Sequence, residues 1–185
     1  MVELVDYGGG NLGSVQRALQ RLEAPFRLTS QPTGDHPVIL PGVGSFGAVA
    51  TALSKAGLDA RLRQIIAQGT PFLGICVGLQ VLLEGSEESP GVPGLGIIPG
   101  QVVRFRAPKV PQIGWNRVVS AEREGFVYFV NSYYALLKKP EHLWYSADYY
   151  GPFCAALRHQ NVSAFQFHPE KSGDFGQRLL QDWLN

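Results

Sequence analysis

Thr70-Pro71-Phe72-Leu73-Gly74-Ile75-Cys76-Val77-Gly78-Leu79-Gln80 is the stretch on which the fold turns. Its first half is a short apolar run of strand character. Its second half reads as the start of a helix, with Cys76 at the junction. Gly74 and Gly78 stand two residues to either side of the cysteine. This is a G-x-C-x-G form of the nucleophile elbow, in which a tight strand-to-helix turn lifts one reactive atom above the end of a sheet. The glycines have a steric task, because such an elbow brings neighbouring backbone closer than a Cβ allows. A helix from Val77 to about Leu83 would direct its free N–H groups and positive dipole end at the sulfur, favouring thiolate. A buried structural thiol explains the same cysteine, since free Cys is among the most buried residue types. The elbow alone does not separate the two.

On the N-terminal side, Val2–Tyr7 reads as a strand followed at once by Gly8-Gly9-Gly10-Asn11. Asn11 is a good N-cap for a helix carrying Leu12, Val15, Leu19 and Leu22 on one face and ending before Pro25. Strand, Gly-rich turn and helix in that order predict an α/β protein with an open, mostly parallel sheet flanked by helices. Gly8, Gly10 and Gly13 have the spacing of a dinucleotide site, but such a site needs an acidic residue about 20 positions on. Phe26-Arg27-Leu28-Thr29-Ser30 supplies none. The loop is therefore expected near a ligand or partner, with no cofactor. His36–Leu40 reads as a buried strand ending in Pro41-Gly42-Val43-Gly44, at the carboxyl edge where open α/β sheets bind ligands. Ser45 caps a predicted helix over Phe46–Lys55. Asp59 opens another with Leu62, Ile65 and Ile66 inward, ending at Gly69.

On the C-terminal side, Glu84–Pro99 reads as a Gly-, Pro- and acid-rich loop. From Gly100 to about Tyr150 come short β-like segments, Gln101–Phe105, Asn116–Val119, Gly125–Leu137 and Leu143–Tyr149, expected as an antiparallel insertion or added layer. A buried strand, Val162–Phe167, then runs into His168-Pro169-Glu170, and a last helix carries Phe175, Leu179, Leu180 and Trp183 on one face. No repeat or linker interrupts the chain, which is expected to be a single domain over 1–185.

The composition narrows the functional classes. A chain of 185 residues with 45% hydrophobic and 17% charged residues is large enough for a substantial core. A net charge of +1 gives no electrostatic footprint for nucleic acid or an anionic membrane. Cys76 and Cys154 are too few for a disulfide framework or a cysteine-based zinc site, so reduced thiols in the cytoplasm and no metal are expected. Glu3 and Asp6 interrupt the N-terminus, so a signal peptide is not expected. Pro71–Leu83 is too short and too broken for a membrane span.

Thiol hydrolysis needs a thiolate, a base, a group that orients the base, and donors for the oxyanion. The candidate bases are His36, His142, His159 and His168. Only His168 stands at the carboxyl end of a long buried strand, the edge that Cys76 also occupies. Pro169 holds His168 extended, and in extended chain residues two apart share a face, which brings Glu170 beside it as the third member of a triad. A solvated strand-end turn would explain His168 and Glu170 equally well if the elbow were absent. The oxyanion donors expected by geometry are the Val77 N–H, next after the nucleophile, and an N–H from Val43 or Gly44. Losing one such donor costs about 10²–10³ in rate.

Pro41-Gly42-Val43-Gly44, Gly74–Gln80 and Phe167-His168-Pro169-Glu170-Lys171-Ser172-Gly173 together resemble the class I glutamine amidotransferases, over the whole chain. Asp6–Leu12, Leu83–Glu88, Gly114-Trp115-Asn116 and Tyr128–Tyr134 are similar to one branch of that family, the glutaminase subunits of imidazole glycerol phosphate synthases. The resemblance implies a Cys76–His168–Glu170 triad that hydrolyses the side-chain amide of glutamine through a thioester. It places Gln80 and Glu88 at the glutamine head group, whose ammonium needs acceptors, with Ser132 and Tyr133 lining the same pocket. It also implies a heterodimer with a (β/α)₈ cyclase subunit, which uses the ammonia to make imidazole glycerol phosphate and aminoimidazole carboxamide ribotide in histidine biosynthesis. Gly10, Asn11 and Lys171 would face that subunit, with Trp115 and Tyr134 as interface or gate residues.

Three places in the chain depart from the family pattern. Val77 replaces a common Leu, Asn131 a frequent His, and Gln112-Ile113 a frequent His-Met. None touches the triad, and the last two lie near the expected partner face. Two other readings stand beside this one: a glutaminase serving a different synthase, such as the pyridoxal phosphate synthase, and a non-catalytic binding module with an inert cysteine. Gly114-Trp115-Asn116 and Ser132-Tyr133-Tyr134 speak against the first, and the complete Cys, His and Glu set against the second.

Overall fold

The computed structural model describes residues Met1–Asn185. Twelve strands form one mixed sheet. Its parallel half holds β1 (Val2–Val5), β2 (Phe26–Thr29), β3 (Val38–Gly42), β4 (Phe72–Cys76) and β12 (Val162–Phe165), in the order β2-β1-β3-β4-β12. Four of these five are buried along their whole length. This is why they read as unbroken apolar runs, as strands covered on both faces do. Helices α1 (Leu12–Arg21), α2 (Phe46–Lys55), α3 (Leu58–Ala67) and α5 (Gly173–Leu184) provide the cover.

The expected antiparallel segments are present and continue this sheet beyond β12. β12 pairs antiparallel with β11 (Pro152–His159), through a hairpin turn at Gln160, and the order runs on through β10 (Leu143–Asp148), β7 (Gln112–Val119) and β8 (Glu124–Asn131). A branch of β9 (Tyr133–Leu137), β6 (Gly100–Arg104) and the two-residue β5 (Gly85–Ser86) joins at β11. One cluster of 47 buried apolar residues runs through both halves, so the halves share a core.

Four local expectations differ from the structure. The helix after the elbow, α4, spans only Val77–Gln80. The carbonyls of Val81, Leu82 and Leu83, which would extend it, instead accept the N–H groups of Leu95, Gly96, Ile97 and Ile98. The strand expected at His36–Leu40 runs two residues later, which brings Pro41-Gly42 into the sheet beside Cys76. Gly125–Leu137 is two strands, broken at Ser132. Asn11 precedes α1 without a side-chain capping bond. Ser45 does cap α2, its side-chain oxygen accepting the Ala48 N–H.

The start of the sheet is pinned by a buried carboxylate. Glu3 on β1 accepts the N–H groups of Thr33 and Gly34 and pairs with Arg27. Burial works against its charge, but these donors prevail and hold the carboxyl down at about 2. The loop ahead of β3 is thereby tied to β1. No helix is long and apolar enough to cross a membrane.

Candidate active site

The elbow is closed by three glycines packed backbone against backbone. A Cβ on Gly78 would lie 2.0 Å from the Leu40 carbonyl oxygen, one on Gly74 2.6 Å from the Gly78 oxygen, and one on Gly42 2.4 Å from the Gly78 nitrogen. No side chain fits at any of the three. Between them Cys76 takes φ 56° and ψ −112°, a conformation that costs of order 1–3 kcal/mol for a residue with a Cβ. With α4 reduced to one turn, its dipole contributes less at the sulfur than a full helix would.

Strand register delivers the base. Phe165 lies opposite Ile75, so Gln166 falls level with Cys76 and His168 stands two residues farther along, just beyond the same strand end. His168 Nδ1 is 2.8 Å from Glu170 Oε1, and the two side chains are only 7% and 2% exposed. The expected extended geometry does not continue through Glu170. Pro169–Lys171 form a 3₁₀ turn, which brings the carboxylate back beneath the ring. Ser172 fixes this turn: its Oγ donates to the His168 carbonyl at 2.6 Å and accepts the Tyr128 N–H at 2.9 Å. The His168 N–H in turn donates to the Tyr128 carbonyl at 3.0 Å.

Burial disfavours a charged His168. Hydrogen bonding to the Cys76 sulfur and the Glu170 carboxylate, with the charges of both, outweighs it and raises the imidazole to about 10. At neutral pH the ring is therefore charged, and it lies between the Cys76 sulfur and the Glu170 carboxyl.

Cys76 and His168 open into a cleft of about 390 Å³ whose walls include Val43, Gly44, Val77, Gln80, Glu88, Asn131, Ser132, Tyr133 and Lys171, a volume suited to a small polar ligand. Gln80 Nε2 donates to the Tyr133 carbonyl (3.3 Å) and to Gln166 Oε1 (3.1 Å), so what Gln80 offers a ligand is its own carbonyl oxygen. Glu88 Oε2 accepts the Phe46 N–H at 2.7 Å and is held over the start of α2. Val43 is 38% exposed at the rim, and Gly44 has φ 92°. The structure thus gathers every residue expected at the triad, the oxyanion loop and the head-group pocket around one cleft.

The expected partner-facing residues divide. Lys171 borders the cleft, Trp115 is 58% exposed with its ring 3.9 Å from a Cβ built on Gly173, and Gly10-Asn11 lead into α1. Tyr134 stands apart. It packs on Phe105 at 4.8 Å and Phe153 at 5.8 Å between ring centroids, away from the cleft.

Two residues of the site escaped the sequence reading. Tyr7 lies beneath the glycine loop. Its hydroxyl lies 3.3 Å from a Cβ built on Gly10 and is buried without a hydrogen-bond partner, and burial pushes the phenol up. Gln166 is fully buried, with Nε2 3.9 Å from Cys76 Sγ. An amide inside an otherwise apolar run, Ala164-Phe165-Gln166-Phe167, is the available signal.

A strained elbow thiol facing a buried His–Glu pair, at the carboxyl edge of an open α/β sheet, defines a protein able to form and break an acyl thioester. Residues 3–185 match the family model "Glutamine amidotransferase class-I". The chain is 47% identical to the imidazole glycerol phosphate synthase subunit HisH of Thermus thermophilus, over 96% of this chain and 93% of that protein. It is 44% identical to the protein of the same name from Thermococcus kodakarensis, over 99% and 98%. A solved glutamine amidotransferase superposes with a TM-score of 0.80 at 19% identity, covering 99% of this chain and 96% of the other, and supports the fold. The chain belongs to the class I glutamine amidotransferases, in the branch of the imidazole glycerol phosphate synthase subunits HisH.

Proposed function

We infer that this chain is the glutaminase subunit of an imidazole glycerol phosphate synthase and supplies ammonia for histidine biosynthesis. The observation that carries this is the meeting of Cys76 with the His168–Glu170 pair on adjacent strand ends. In the proposed reaction the Cys76 thiolate attacks the side-chain carboxamide carbon of glutamine. The oxyanion is stabilised by the Val77 N–H and an N–H from the Val43-Gly44 segment. His168 gives its proton to the departing nitrogen, so that neutral ammonia leaves and a glutamyl thioester remains. The neutral imidazole then takes a proton from water, the hydroxide attacks the thioester, and glutamate is released as the thiolate re-forms. Glu170 orients the ring throughout. Gln80 and Glu88 hold the amino-acid end of glutamine, with Ser132 and Tyr133 beside it.

The ammonia goes to a (β/α)₈ cyclase subunit in a heterodimer, with Gly10, Asn11, Trp115 and Lys171 facing it. Glutamate release with and without that subunit and its ligand tests the assignment. We expect slow release from the isolated chain and a marked rise in the complex. A fully active isolated chain would contradict control through the interface. The same assay gives a pH prediction. Because His168 is raised, its proton is present through neutral pH and lost as pH rises through its folded value. kcat/KM should therefore hold across neutral pH and fall on the alkaline side with a midpoint of about 10. A limb near the ordinary histidine value of 6.5 would argue against the Cys76–His168–Glu170 pairing.

A further inference from the structure

Gln112 on β7 and Asn131 on β8 are direct cross-strand partners, 3% and 5% exposed. Three of their four amide atoms, Gln112 Oε1, Gln112 Nε2 and Asn131 Oδ1, are buried without a hydrogen-bond partner in the protein. Unpaired buried polar atoms are costly. Cross-strand neighbours on one face are close enough to bond to each other, yet these two carboxamides do not. The pair is also connected to the reacting centre. Asn131 borders the cleft, and its Nδ2 donates at 3.0 Å to the Tyr133 carbonyl that Gln80 also uses. Gln80 is bonded to Gln166, whose amide lies 3.9 Å from Cys76 Sγ. A run of uncharged amides leads from the sulfur to Asn131, and Gln112 lies one strand farther out.

We propose that Gln112 and Asn131 form a holding site for the ammonia released at Cys76, an inference that rests on the glutaminase assignment. Two carbonyl oxygens accept N–H bonds, and the Gln112 amide donates to the nitrogen lone pair, so the three orphaned atoms match neutral ammonia in number and kind. Carboxamides do not titrate. They hold the molecule without giving it the proton that would turn it into ammonium, which has no lone pair for attack. The pair lies beside Ile113 and Val130, which are 63% and 39% exposed and directly opposite each other, with Val130 also bordering the cleft. Ammonia held here would be past the thiol and close to the outer rim.

The test uses the complex with the cyclase subunit, given glutamine labelled with ¹⁵N at its side-chain amide in the presence of unlabelled ammonium. The label in the synthase product is read by mass spectrometry. Gln112→Met keeps the chain length and removes the polar atoms. It should raise the unlabelled fraction by about threefold or more over the parent, as released ammonia escapes and external ammonia enters. Asn131→Leu should shift the ratio the same way. The ratio counts only molecules that turn over, so a partly unfolded preparation does not mask it. An unchanged ratio in both variants overturns the proposal. So does a slower glutamate release with no change in label, which would assign these amides to hydrolysis. If the parent complex releases no glutamate from glutamine, the glutaminase assignment itself fails.

Discussion

Replacing Cys76 with alanine should lower glutamine-dependent synthesis by about 10⁴-fold or more, the scale on which loss of a nucleophile is felt in hydrolases. The complex should still make product from added ammonium, because the cyclase chemistry is assigned to the other subunit. No second thiol can take over. Cys154 is buried in the core, its S–H donating to the Ala156 carbonyl at 3.4 Å, and burial pushes the thiol up to about 12. Cys76 borders the cleft and faces an imidazolium. Glutamate release and ammonium-dependent synthesis, measured side by side, check this. Loss of both activities in C76A would contradict the division of labour between subunits.

The second large effect is on stability. Gly78→Ala should destabilise the chain by about 4 kcal/mol or more, the range reserved for changes the structure cannot absorb. The new methyl would lie 2.0 Å from the Leu40 carbonyl oxygen, and that oxygen belongs to β3, a fully buried strand hydrogen-bonded to β1 and β4. It has no side-chain freedom with which to retreat, so β3 and the elbow must separate. Gly57→Ala is the comparison. Its φ is also positive, at 68°, but nothing lies within 4 Å of the new Cβ, and the loss should be about 1 kcal/mol. Urea unfolding of both variants measures the difference. Equal, small losses would show that close approach at the elbow is not what requires glycine.

These two sites differ in how they could be read from the sequence. The Gly-Ile-Cys-Val-Gly spacing announces its own geometry, because only a tight turn needs glycine on both sides of a nucleophile. The four buried parallel strands were legible for a related reason, since burial on both faces leaves no alternation to misread, whereas β2 is exposed over Arg27-Leu28 and carries no such run. Other features depend on partners far away in the chain. The end of α4 is set by a loop thirteen or more residues later, which captures carbonyls that local propensity would give to the helix. Pro152–His159 passed unnoticed because Ala155 and Ala156 have weak strand preference, and only pairing with β10 and β12 makes them a strand.

The catalytic cleft shows the same limits. His168 and Glu170 could be placed together because Pro169 restricts the backbone locally, although a 3₁₀ turn brings them into contact. Nothing local marks Ser172 as the residue that fastens this turn to β8. Tyr7 likewise looks like the end of an N-terminal strand, and only the fold buries its hydroxyl under the Gly9-Gly10 loop. Gln112 and Asn131 drew notice as departures from a family pattern. Their burial opposite one another, with unpaired amides, appears only once β7 and β8 are in register.

The central claim is that glutamine is opened by covalent attack of Cys76. The complex with the cyclase subunit can be mixed with glutamine, quenched in acid during turnover and digested, and its cysteine peptides weighed. The account predicts a glutamyl group on the peptide containing Cys76, absent without glutamine and absent from Glu170→Gln preparations that no longer turn over. A complex that releases glutamate while Cys76 stays unmodified, or that carries the adduct on Cys154, would contradict it.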